Sequence, residues 1–134
     1  LGDGEIQEGQ VWEAAMFASA KGLDNLVAVV DNNGLQIDGK ISEVNSPYPI
    51  AEKFKSFGWN VIEICAHSFD EIDAAFNAAA EFKGKPSVIV ANSDTGKGVS
   101  FMEDQVSWHG TAPNAEQYEQ AMSELTQALA ELEA

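Results

Sequence analysis

The sequence contains no arginine, and its seven lysines face 22 acidic residues, which leaves a net charge of −15 over 134 residues. Nucleic acid and anionic membranes are recognised by clustered basic side chains, so neither is expected as a partner. The acidic surplus reads first as a solubility device, because like charges keep molecules apart; a specific basic partner is the lesser reading. Cys65 is the only cysteine, so no internal disulfide can form, and a reducing cytoplasm is the expected location. No apolar run approaches the roughly 18 residues of a membrane-spanning helix. Leu1-Gly2-Asp3-Gly4 shows neither the basic nor the apolar part of a secretion signal.

What the chain does have is an ordinary balance of 45% hydrophobic and 22% charged residues in one domain's length. A chain of this size can bury roughly two-thirds of its unfolded surface, enough for a core. Val11, Ala14, Ala15, Phe17 and Ala18 recur at helical spacing, which predicts a helix over Gln7 to Lys21 that stops at Gly22. Leu26 to Val30 is an unbroken apolar run, the pattern of a strand buried on both faces. A polar loop is expected from Asp31 to Gly39.

A short helix follows over Tyr48 to Phe57, with Pro49 in its first turn, and then a strand over Trp59 to Cys65. Ser68-Phe69-Asp70-Glu71 has capping-box spacing and opens an Ala-rich helix running to Phe82. A third strand covers Ser87 to Ala91. The loop from Asn92 to Pro113 is too long to be a simple connector. The last helix, Glu116 to Leu132, carries Ala121, Leu125, Ala128, Leu129 and Leu132 on its apolar face. The acidic stretch to Ala134 reads as a solvated outer surface. Strands alternating with helices predict an α/β three-layer sandwich with a mainly parallel sheet. In such sheets ligands sit beyond the carboxyl ends of the strands.

Of the loops that follow strand ends, beginning at Gly2, Asp31, Cys65 and Asn92, three carry distinctive residues. Gly2-Asp3-Gly4 precedes the first helix, where glycines admit a ligand close to the backbone and free N–H groups face an anion. Asp31-Asn32-Asn33-Gly34 follows the first buried strand. If the two strands are neighbours, an Asp and an Asn oxygen converge on a hard cation such as magnesium, which also accepts phosphate oxygens. The bland reading is a turn Asp and a turn Asn, common at strand ends.

Together these segments resemble the transketolase family. Gly2-Asp3-Gly4 and Asn32-Asn33, with a helix and a strand between them, match the thiamine-diphosphate motif. The stretches Gly2 to Ala14, Asp31 to Gly39 and Gly96 to Gly110 resemble transketolase, in particular the amino-terminal subunit of split forms. The resemblance runs nearly end to end and implies the carboxyl-terminal part, residues 1–134, of a diphosphate-binding domain. It implies that magnesium (or calcium or manganese in its stead) is held by Asp3, Asn33 and the Leu35 backbone carbonyl. Gly4 would approach the diphosphate of thiamine diphosphate, and His109 would reach both diphosphate and substrate. Glu8 and Glu13 would join a carboxylate network between paired active sites.

The implied reaction transfers a two-carbon ketol group between sugar phosphates, in a dimer or higher oligomer. The sequence opens inside the motif, so the resemblance also implies a front segment: another chain, a cleaved piece, or sequence lying outside the one given. A second partner is implied because the glutamate that activates the cofactor lies in a separate pyrimidine-binding domain, which nothing here resembles. The nearest alternatives are a deoxyxylulose-phosphate synthase or a 2-oxo-acid dehydrogenase subunit; a non-catalytic scaffold of the same fold is the third. Outside this set, His67 reads as structural and Lys97 as a solvated loop lysine. Trp12 and Met16 read as core or interface.

Overall fold

The computed structural model describes residues 1–133, so Ala134, at the end of the expected acidic surface, lies outside the described residues. Its centre is a three-stranded parallel sheet in the order β1 (Val27–Asn32), β5 (Ser87–Asn92), β4 (Asn60–Cys65). β5 pairs with a strand on each side, so its apolar run must satisfy both faces. Val88 and Val90 point into a core with Ile6, Ala15, Ala18, Ile50 and Phe54, whereas Ile89 and Ala91 meet Ile64 and Ala75 on the other face. Helices therefore cover both faces, and the three layers predicted from the sequence are present.

The first core is formed by α1 (Gly9–Ala20) and α3 (Ile50–Ser56). Ala15, Ala18 and Ser19 are the buried residues of α1, and small side chains let that helix lie close to the sheet. Trp12 packs its ring 5.2 Å from Phe54 and 5.8 Å from Phe57. Trp59, at the entrance to β4, donates its indole N–H to the Ala15 carbonyl at 2.9 Å, so its polar atom is satisfied within the core. Met16, in contrast, remains half-exposed.

The second face is covered by α4 (Phe69–Glu81). Ser68 caps it by accepting from the Glu71 N–H at 3.3 Å. The expected reciprocal half of the box is absent, because the Glu71 carboxylate instead accepts from the Cys65 N–H at 2.7 Å. A complete capping box occurs where none was expected, at Asn114 and Gln117, and opens α5 (Ala115–Leu132). Ser68→Ala should cost about 1 kcal/mol, the usual penalty for losing such a cap. For a domain of this size that is a fall of about 4 °C in Tm, measured by thermal circular dichroism.

Several segments depart from the expected outline. A 3₁₀ turn at Glu5–Gln7 delays α1 until Gly9. β1 runs on through Asp31 and Asn32, and the remaining "loop" folds into an antiparallel hairpin of β2 (Leu35–Gln36) and β3 (Gly39–Lys40), with α2 (Ile41–Val44) behind it. The apolar face of α5 is not seated: Ala121 is its one buried residue, and Leu125, Leu129 and Leu132 are exposed. No helix among the described residues is long and apolar enough to cross a membrane.

Candidate functional site

Gly2 forms a parallel bridge with Asp31 on the edge of β1 away from β5. The Asp3 N–H donates to the Asp31 carbonyl at 3.1 Å, so the Gly2-Asp3-Gly4 turn is held against the carboxyl end of β1. Asp3 lies only 1% exposed, with its Oδ2 accepting from the Gly34 N–H at 2.7 Å. Burial raises its pKa above the ordinary carboxylate range. Hydrogen bonds from Gly34 and Gly4 pull it back in part, and the nearby Asp31 charge pushes it up again. Burial of this kind disfavours the ionised form, and no lysine lines the cavity beside it.

One cavity of about 390 Å³ brings together Asp3, Gly4, Asn33, Leu35 and His109. Its walls carry four carboxylates, those of Asp3, Glu5, Asp31 and Asp38, and no lysine. A diphosphate would be repelled from such walls unless a cation lay between them. Among the described residues no three His, Cys, Asp or Glu side chains converge. The Asp3 carboxylate, the Asn33 amide and backbone carbonyls offer an all-oxygen set that suits magnesium completed by phosphate oxygens and water. The residues present fit the implied group.

Asn33 accepts the Leu35 N–H on Oδ1 at 2.9 Å and donates Nδ2 to Asp31 Oδ2 at 3.1 Å. Gly4 faces Gln36 so closely that a Cβ there would lie 3.1 Å from Gln36 Oε1 and 3.2 Å from its Cβ. Gln36 itself is held by Gln7, whose Nε2 donates to Gln36 Oε1 and to the Asn45 carbonyl, both at 2.7 Å. The anion site expected at the start of α1 is displaced: the 3₁₀ turn lies between the motif and that helix, so Glu5 and Gln7 line the cavity. Glu8 and Glu13 are not brought to it; both are exposed along α1.

His109 follows the 3₁₀ turn Val106–Trp108, on which it closes by donating its N–H to the Val106 carbonyl at 2.9 Å. Trp108 anchors the turn through an indole bond to the Phe101 carbonyl at 2.8 Å and a ring contact at 5.3 Å. His109 is exposed, at the junction of the first cavity with a second of about 550 Å³ lined also by His67, Asp94 and Thr95. His67 Nε2 accepts from the Asp94 N–H at 2.9 Å, a structural contact between two loops. Lys97 is exposed, as expected of a loop lysine, and it also reaches Asp94 and Glu103 at 2.9 Å each, holding both carboxyls below their ordinary values. The sequence reading missed Glu5, Gln7, Asp31 and Ser93; only Asp31, inside the motif, carried a signal that could have marked it.

The family described as "Transketolase, thiamine diphosphate binding domain" matches residues 1–130. The chain is 45% identical, over 93% of its length, to the 6-deoxy-6-sulfo-D-fructose transketolase subunit SqwG of Clostridium sp. MSTE9, covering 46% of that protein. It is 40% identical, over 99% of its length, to one of the apulose-4-phosphate transketolase subunits of Phocaeicola vulgatus, covering 47%. Among solved structures, a transketolase from Campylobacter jejuni superposes with a TM-score of 0.86 at 29% identity, over 92% of this chain and 19% of that one. The chain therefore spans about half the length of the split subunits it matches.

Proposed function

The chain belongs to the transketolase thiamine diphosphate binding family, and from that premise we propose that it forms part of the diphosphate-binding half of a magnesium-dependent transketolase. The proposed reaction moves a two-carbon ketol group from a ketose phosphate to an aldose phosphate. The observation that carries this reading is the buried Asp3 carboxylate, without a basic partner, beside Asn33 on a cavity walled by carboxylates. In the proposal Asp3, Asn33 and the Leu35 carbonyl hold magnesium. Gly4 lets the diphosphate approach the backbone. When bound, thiamine diphosphate supplies the carbanion chemistry, and the protein positions it.

His109 stands where the cavities meet and can hydrogen-bond a phosphate or sugar oxygen there. Glu8, the N-cap of α1, and Glu13, within that helix, are both exposed and are proposed as groups for a paired subunit. The partner proposed is a pyrimidine-binding subunit or domain. The names of the split relatives support a subunit partnership.

The test is co-purification with that partner and an assay of ketol transfer from a ketose phosphate. Turnover requiring both magnesium and thiamine diphosphate is expected, and His109→Ala should lower kcat/KM by about 10²-fold, the lower range for a lost proton-transfer group. Pyruvate consumption without ketol transfer would overturn the assignment in favour of another thiamine enzyme. Failure of the assembled protein to bind the cofactor at all would leave a scaffold.

A further inference from the structure

The carboxyl ends of all three sheet strands are tied together beside the cavity. Ser93, the first residue after β5, donates its N–H to the Asn32 carbonyl at 3.2 Å and its hydroxyl to Asp31 Oδ1. The second Asp31 oxygen accepts from Asn33 Nδ2, while Asn33 Oδ1 accepts from the Leu35 N–H. A carboxylate can only accept and a peptide N–H can only donate, so a single orientation of the Asn33 amide satisfies both neighbours. In that orientation Oδ1 keeps a second lone pair available to a hard cation. From the end of β4, His67 pins the Asp94 N–H, and so fixes the residue next to Ser93. With both oxygens occupied by hydrogen bonds, Asp31 is placed as an orienting group.

We infer that Ser93, acting through Asp31, is a positioning residue for the Asn33 amide, ensuring that oxygen and not nitrogen faces the cation. This rests on the proposed role of Asn33 as a magnesium ligand. Groups that orient a metal ligand typically contribute 10- to 100-fold in affinity, and the exposure of Asp31 points to the lower end. Removing the hydroxyl leaves Asp31 free to turn, and the amide then keeps only the Leu35 N–H of the two partners that select its orientation.

The experiment uses the protein assembled with its native partners, thiamine diphosphate in excess, and Mn²⁺ as the probe, with free Mn²⁺ followed by electron paramagnetic resonance. Ser93→Ala should weaken Mn²⁺ binding about tenfold, and Ser93→Thr, which keeps a hydroxyl, should restore it. Asn33→Ala should weaken binding by itself, and Ser93→Ala should then add nothing, because the two residues act as one unit. Wild-type affinity in Ser93→Ala, or the same loss in the presence and absence of Asn33, would overturn the inference. Unchanged affinity in Asn33→Ala would remove the ligand assignment itself, and the inference with it.

Discussion

Asp3→Asn is expected to weaken magnesium–thiamine diphosphate binding by about 10²-fold or more, with ketol transfer lost to match. Truncating one partner of a buried charge pair costs about 2–5 kcal/mol, and each 1.4 kcal/mol is about a factor of ten. Asp3 belongs in that class because it is the most enclosed acid of the cavity, and the cation would be its only positive neighbour there. The variant should fold, since an amide oxygen can still accept the Gly34 N–H that now meets Asp3 Oδ2. Calorimetric titration of the assembled protein measures the loss. An affinity within a few-fold of wild type would exclude Asp3 as a metal ligand.

The same residue sets an opposite trend in the metal-free protein. The folded-state pKa of Asp3 lies above its ordinary value of 3.8, chiefly through burial. The folded chain therefore retains a proton that the unfolded chain has released, and stability falls as pH rises from 3.8 through the raised value. Asp3→Asn removes that fall, so without metal the variant should resist urea at neutral pH at least as well as wild type. Magnesium with the cofactor should reverse the order. On the proposed role, metal binding and apo-state stability would be coupled with opposite sign at one carboxylate, and a variant that lost both would mark Asp3 as merely structural.

The sequence made β5 and α4 legible because each has a strong physical period: a run buried on both faces for the strand, a capped small-residue face for the helix. Asp3, Gly4, Asn33, Leu35 and His109 were found through the family motif, and the structure gathers them on one cavity. What stayed illegible is local geometry without periodicity. The 3₁₀ turn at Glu5–Gln7 offsets the chain before α1 starts, which puts Glu5 and Gln7, not Glu8 and Glu13, on the cavity wall. Two-residue strands such as Leu35–Gln36 leave no alternation to detect. The ion pairs of exposed Lys97 leave no trace in sequence, because its partners, Asp94 and Glu103, are brought to it by the loop's own turns. The apolar spacing of α5 is a true helical signal, but spacing carries no information about whether a partner surface exists within the same chain.

That loop is also where the second large effect is expected. Gly96 adopts φ +70°, a region costly for residues with a side chain, and an added Cβ would lie 2.7 Å from the C, Cβ and O atoms of Met102. Met102 cannot simply retreat, because its N–H donates to the Val99 carbonyl at 2.9 Å and its own carbonyl accepts from the Gln105 N–H at 3.1 Å. The left-handed conformation costs about 1–3 kcal/mol for a non-glycine residue, and overpacking adds about 1–3 kcal/mol. Gly96→Ala should therefore cost about 2–6 kcal/mol in total, a Tm lower by about 8–24 °C for a domain of this size. The loop can relieve part of that strain by breaking the Asp104 N–H bond to the Thr95 carbonyl, at 2.9 Å. Relief by that route shifts the segment leading to Trp108, and His109 moves with it, so a smaller Tm loss should come with a larger loss in kcat/KM. Thermal melts and ketol-transfer kinetics on the assembled protein separate the two routes. If Tm and kcat/KM both match wild type, the close approach of Gly96 to Met102 does not hold the loop, and the placement of His109 must depend on other contacts.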